Sequence, residues 1–283
     1  MINKVFSIII LLLLISCGST TKEIFNIDIV KTNEYLKNND QIEFTINNPL
    51  DKNITNLQFK IDNNLVSSPF LLNNKLGKNI LKASFTVNDK EYTLKKEFVI
   101  YSSLKPKIYT YEIINEFSHD MSSYTQGLEF DNNNFLYEGT GQYGFSMLKK
   151  VNFESGEVLE KLFLDKSYFG EGITILNDKI YQLTWKSKIG FIYNLNDFKL
   201  IKSFNYKNSI EGWGLCNDGE YLYKSDGSEK IWKLNKNNLE EISFVNVVTN
   251  NKVINKINEL EWFDNKIYAN TYQFNKEVGL IID

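Results

Sequence analysis

Residues 172–181 read GITILNDKIY: an apolar run, an Asn-Asp pair, and a second apolar run ending in an aromatic residue. Short strand-like runs on either side of an Asn/Asp/Gly turn signal a β-hairpin. The pattern recurs as GLEFDNNNFLY at 127–137, GLCNDGEYLY at 214–223 and ELEWFDNKIY at 259–268. The four starts are 45, 42 and 45 residues apart. Complete repeats add two more strand-like runs, such as 148–153 and 158–164, joined by Glu154, Ser155 and Gly156. Four short strands in each repeat of this length predict a β-propeller. No long amphipathic stretch separates the runs, which disfavours a parallel α/β fold.

Upstream, residues 23–103 read as short strands punctuated by Asn47-Asn48-Pro49, Asn63-Asn64 and Asn88-Asp89. The run 41–46 (QIEFTI) alternates polar and apolar residues, as do 56–61 and 81–87. This stretch is expected to form a small Ig-like β-sandwich without catalytic residue types, a spacer or docking module. A linker containing Pro106 follows at 104–108, and the propeller is expected over 109–283.

At the N-terminus, Lys4 precedes a predominantly apolar run from Val5 to Ile15, too short to span a bilayer as a helix. The run ends at Leu14-Ile15-Ser16-Cys17-Gly18, which resembles a bacterial lipobox. Residues 1–17 are read as a lipoprotein signal peptide, with Cys17 lipidated and 18–22 as a polar tether. The expected location is therefore the cell envelope, on the periplasmic or outer-membrane side, with the membrane reached through a lipid anchor.

Composition narrows the chemistry. A net charge of −3 argues against a nucleic-acid partner. The single histidine, His119, excludes a multi-histidine zinc site, and no metal-binding residues are assigned. Cys216 lies in a strand-like run and reads as a small buried hydrophobe.

The repeats also place side chains. The residue before each innermost strand is expected at the channel rim: Gln126, Glu171, Trp213 and Asn258. Thirteen residues after each repeat start, the second strand returns to that face at Thr140, Trp185, Gly227 and Tyr272. Trp185, Trp213 and Tyr272 should therefore crowd one carboxylate, Glu171, and raise its pKa by desolvation. Spacing alone leaves open a core role for the tryptophans and a solvated turn role for Glu171.

Six ordered motifs carry a resemblance. They are YTQGL (124–128), YFGEG (168–172), IYQLTW (180–185), EGWGL (211–215), SDG (225–227) and NELE (258–261), with His119-Asp120 ahead of them. Together, over 109–283, they closely resemble the plant- and bacterial-type glutaminyl-peptide cyclotransferases. The resemblance implies an all-β, five-bladed propeller and a reaction converting N-terminal glutamine of peptides or proteins to pyroglutamate with release of ammonia. It implies Glu171 as the general acid/base, and Tyr124, Gln126, Phe169, Trp185, Trp213 and Asn258 as the substrate pocket. Tyr272 stands where the family usually has tryptophan, and keeps an aromatic wall. No cofactor is required for such chemistry, although a structural calcium ion in the channel is compatible with it. The family continues beyond the last residue here, so the last blade is expected to be incomplete. Alternatively, a strand at 109–117 would close a four-bladed ring. A non-catalytic peptide- or glycan-binding propeller, and a glycosidase pairing Glu171 with Glu211, remain as alternatives.

Overall fold

A computed structural model of the protein describes residues 25–272 and 278–283. Among these residues every regular element is a β-strand, and every sheet is built from antiparallel pairs. The sequence dictates much of this. Asn and Asp tolerate positive φ, and the consecutive pairs Asp62-Asn63, Asn88-Asp89, Asn177-Asp178 and Asp264-Asn265 all adopt it, as tight two-residue hairpin turns require. The first of these turns falls one residue earlier than the expected Asn63-Asn64.

The N-terminal part contains two sheets. One pairs β1 (Asn26–Lys31) with β2 (Gln41–Asn47) and β5 (Phe70–Leu71). The other has the order β4 (Asn64–Val66), β3 (Thr55–Ile61), β6 (Gly77–Val87), β7 (Lys90–Ile100). Strict alternation in β2 sends Ile42, Phe44 and Ile46 inward, where they join Leu81, Ala83, Phe85 and Phe98 in one core.

Four further sheets follow in chain order. The first is β8 (Thr125–Phe130), β9 (Leu136–Thr140), β10 (Met147–Val151) and β11 (Val158–Phe163). The second is β12 (Gly170–Ile175), β13 (Lys179–Thr184), β14 (Ile189–Asn194) and β15 (Leu200–Asn205). The third is β16 (Leu215–Asn217), β17 (Tyr221–Ser225), β18 (Lys230–Asn235) and β19 (Glu241–Asn246). The fourth holds β20 (Ile257–Phe263), β21 (Lys266–Thr271) and β22 (Gly279–Ile282). In each, strands pair in sequence order.

Successive sheets pack face to face. Tyr137 and Leu148 of the first meet Ile173, Ile180 and Tyr193 of the second. Tyr181, Leu183 and Ile192 meet Leu215, Leu222 and Trp232 of the third. Cys216 and Ile231 meet Ile257, Leu260 and Ile267 of the fourth. Such a radial series of meandering sheets is propeller-like. The inner strands run close together: a Cβ on Gly214 would lie 2.1 Å from the carbonyl oxygen of Asn258, so only glycine fits. Cys216 is buried, as its neighbours suggested.

The segment 104–120 bears on the four-bladed alternative. It forms no paired strand, and Ile108, Tyr111 and Ile114 are exposed. The strand considered at 109–117 therefore does not close the ring. The N-terminal sheets dock on the third propeller sheet instead, where Asn246 Nδ2 donates to the carbonyl of Leu76 (2.7 Å) and Ser102 N to that of Thr249 (3.0 Å).

Candidate active site

Three of the four rim residues sit in β-bulges. The ladder between β8 and β9 shifts between Thr125 and Gly127, that between β12 and β13 between Gly170 and Ile173, and that between β20 and β21 between Ile257 and Leu260. Gln126, Glu171 and Asn258 are among the residues released from regular pairing, with Gly172 and Glu259 beside the last two, and a bulge re-aims a side chain. These three residues lie inside the first strands rather than just before them; only Trp213 precedes its strand.

The four rim residues converge. A cavity of about 180 Å³ is lined by Tyr124, Gln126, Gln142, Phe169, Glu171, Trp185, Trp213, Asn258 and Tyr272. Every pocket residue assigned from sequence is present. Of the other two positions at the thirteen-residue offset, Thr140 is buried away from the cavity, accepting a hydrogen bond from Met147 N. Gly227 lies beneath the Trp213 ring, where a Cβ would come within 2.6 Å of it. Cys17 falls outside the described residues.

The walls are aromatic and mutually braced. Phe169 packs edge-on to Tyr124 with ring centres 6.1 Å apart and lies 5.4 Å from Trp185. Trp213 meets Tyr272 at 6.2 Å, and the hydroxyls of Tyr124 and Tyr272 lie 3.3 Å apart. That hydrogen bond, burial, and the negative charge of neighbours push the Tyr124 phenol up to about 12, so it stays protonated near neutrality. Backbone bonds between adjacent sheets fix the walls: Gly172 N donates to Trp213 O (2.8 Å) and Gly212 N to Trp185 O (3.0 Å).

Glu171 forms the polar floor. It is 5% exposed, and no group among the described residues hydrogen-bonds its carboxyl. Burial first, and the charge of Glu211 second, raise it well above the ordinary glutamate value. A carboxyl so placed is suited to exchange protons near neutral pH. The carboxamides of Gln126, Gln142 and Asn258 offer donors and acceptors around it.

Two features escaped the sequence reading. Gln142 enters the pocket from the loop after β9, with φ of 90°. Only its position, two residues beyond the offset residue Thr140, hinted at this. Glu211 entered the sequence reading, beyond its motif, only as the second carboxyl of the glycosidase alternative; here its Oε2 accepts hydrogen bonds from the indole N–H groups of both Trp213 (2.8 Å) and Trp185. His119 lies outside the pocket, 3.0 Å from buried Glu138, and ties the incoming segment to the first sheet.

Further along the inner strands stand the partly buried Glu129 and Glu259, each raised chiefly by desolvation. Both carboxyl oxygens of Glu259 are buried without a partner. Oxygen donors of this kind suit calcium. However, no three acidic, Cys or His side chains among the described residues converge closely enough to hold a metal ion.

The chain is similar to known proteins. A sequence model described as glutamine cyclotransferase matches residues 84–282, reaching back into β6. The chain is 36% identical over 172 residues to a glutaminyl-peptide cyclotransferase of Arabidopsis thaliana, covering 60% of this chain and 53% of that protein. It thus spans about half the length of that curated relative. Among solved structures it is similar to the Myxococcus xanthus glutaminyl cyclase, with a TM-score of 0.54 and 27% identity over 60% of this chain and 70% of that one. With the family model covering most of the chain, the protein belongs to the glutamine cyclotransferase family.

Proposed function

We propose that this chain carries the catalytic site of a glutaminyl-peptide cyclotransferase, acting on N-terminal glutamine of peptides or proteins. One observation carries the reading: a single buried carboxyl, with no hydrogen bond from the described residues, lining a small aromatic pocket. At about 180 Å³ the cavity suits one residue rather than an extended ligand. The α-amine of the bound glutamine attacks its own γ-carboxamide carbon. A C–N bond forms, the five-membered ring closes, and the carboxamide nitrogen leaves as ammonia. Glu171 takes the proton lost by the amine and returns it to the leaving nitrogen. The α-amine has a pKa near 8, so modest basicity suffices. Trp185, Trp213, Phe169, Tyr124 and Tyr272 hold the side chain folded over its amine. Gln126 and Asn258 donate to the carbonyl oxygen as it gains charge. The balance closes without a cofactor, and a calcium ion in the channel would be structural.

The glycosidase alternative loses its second carboxyl, because Glu211 is engaged by two indoles. Five blades are the proposed architecture, after a β-sandwich at 23–103 and a linker at 104–108. Membership of the glutamine cyclotransferase family supports the blade count. Residues 1–17 are proposed as a lipoprotein signal peptide with the anchor at Cys17, placing the protein in a bacterial envelope. The decisive experiment is ammonia release from a glutaminyl peptide, with the matching asparaginyl peptide as control. No release above the control would refute the activity.

A further inference from the structure

The aromatic wall is a chain of contacts with one gap. It runs from Trp185 through Phe169, Tyr124 and Tyr272 to Trp213. Between Trp213 and Trp185 no ring contact occurs among the described residues. Glu211 spans that gap, one carboxylate oxygen accepting from both indole N–H groups, at 2.8 Å from Trp213. Building on the cyclotransferase reading, we propose that Glu211 is a positioning residue that closes the aromatic belt and sets both tryptophan walls for the substrate.

The surroundings favour this role. An indole nitrogen only donates, and a carboxylate is its strongest side-chain acceptor. Glu211 is held from below: its backbone carbonyl accepts from Lys224 Nζ at 3.2 Å. Lys224 is fully buried and paired with Glu241 at 3.1 Å, and it also donates to Ser209. Outside the belt, Lys186 Nζ stands 3.9 Å over the Trp185 ring. Two separate sheets therefore contribute one wall each, and Glu211 registers them against one another. Its charge also raises Glu171, whose own charge in turn raises Glu259, Tyr124 and Tyr206.

Two substitutions in the full chain separate the clamp from the charge. Glu211→Gln keeps a carbonyl oxygen able to accept from both indoles and removes the charge. Glu211→Leu removes both. With a glutaminyl peptide, Glu211→Leu should raise KM about tenfold, the loss of roughly one charge-assisted hydrogen bond. Glu211→Gln should hold KM within about twofold and move the acidic limb of kcat to lower pH, because Glu171 loses a like charge. Parental KM in Glu211→Leu overturns the proposal. So does a rise in Glu211→Gln as large as that in Glu211→Leu. If the leucine variant fails to fold, an unshifted limb in Glu211→Gln overturns it. If the parent itself releases no ammonia, the functional reading fails separately. The clamp is then judged by near-ultraviolet circular dichroism of the tryptophans, which Glu211→Leu should alter and Glu211→Gln retain. Identical spectra in all three proteins would overturn it.

Discussion

Glu171→Gln separates catalysis from stability in opposite directions. The change keeps the shape of the side chain and removes its titrating proton. Glu171 is 5% exposed, and burial and the Glu211 charge hold it above its usual value of 4.5. The unfolded chain therefore ionises this group more readily than the folded one. The stability it contributes is fully present below about pH 4.5 and is lost as pH rises through the folded value. Glutamine never ionises. The variant should match its parent near pH 4 and exceed it at pH 8. Burying an ion costs several kcal/mol in a closed interior. With one face open to the cavity, a gain of about 1–3 kcal/mol is expected, or roughly 2–10 °C in Tm. Turnover should fall by roughly 10²- to 10⁴-fold, the usual contribution of a general acid/base. Ammonia release at pH 8 and thermal unfolding at pH 4 and pH 8 measure both. Parental turnover would reduce Glu171 to a structural residue. Lost turnover together with a lower Tm at pH 8 would show damage to the fold instead.

Other outcomes follow from the same geometry. Glu129, raised from 4.5 to about 8 chiefly by burial, should make the protein lose stability as pH climbs from 4.5 through 8. Glu129→Gln should recover on the order of 2–4 kcal/mol at pH 8.5, seen as a higher urea midpoint; equal midpoints there would contradict the burial argument. Trp185→Ala removes a wall, so KM should rise and kcat fall together, by about tenfold each, whereas Glu171→Gln should act mainly on kcat. An effect of Trp185→Ala on kcat alone would argue against a binding role. Cys17→Ala should release the protein from the membrane fraction or block its maturation; unchanged fractionation and processing would remove the lipid anchor.

Much of the architecture was legible in local signals. Hairpins announce themselves through Asn and Asp at turn positions, and a fixed spacing of hairpins reveals repeated sheets, because each sheet needs the same run of residues. Equivalent repeat positions put Gln126, Glu171, Trp213 and Asn258 on one rim from spacing alone. Trp185 and Tyr272 followed from the return of the second strand. What periodicity alone left open was whether those residues form a pocket or a core.

The tertiary structure decided what depends on several sheets at once. The bulges that turn Gln126, Glu171 and Asn258 toward the cavity arise from mismatched pairing between strands, which a single strand's pattern does not encode. Gln142 reaches the pocket because its backbone turns to positive φ, a conformation common for glycine and rare for glutamine. Glu211 gains its place from two indoles brought together by neighbouring sheets, 26 residues apart in one case and two in the other. A strand at 109–117 was one alternative the sequence left open, yet among the described residues no partner edge receives that segment and it stays unpaired. Residue type and spacing are local and survive in the sequence. The desolvation that raises Glu171, and the hydrogen bonds that close the belt around it, are sums over distant parts of the chain and exist only once the sheets have packed.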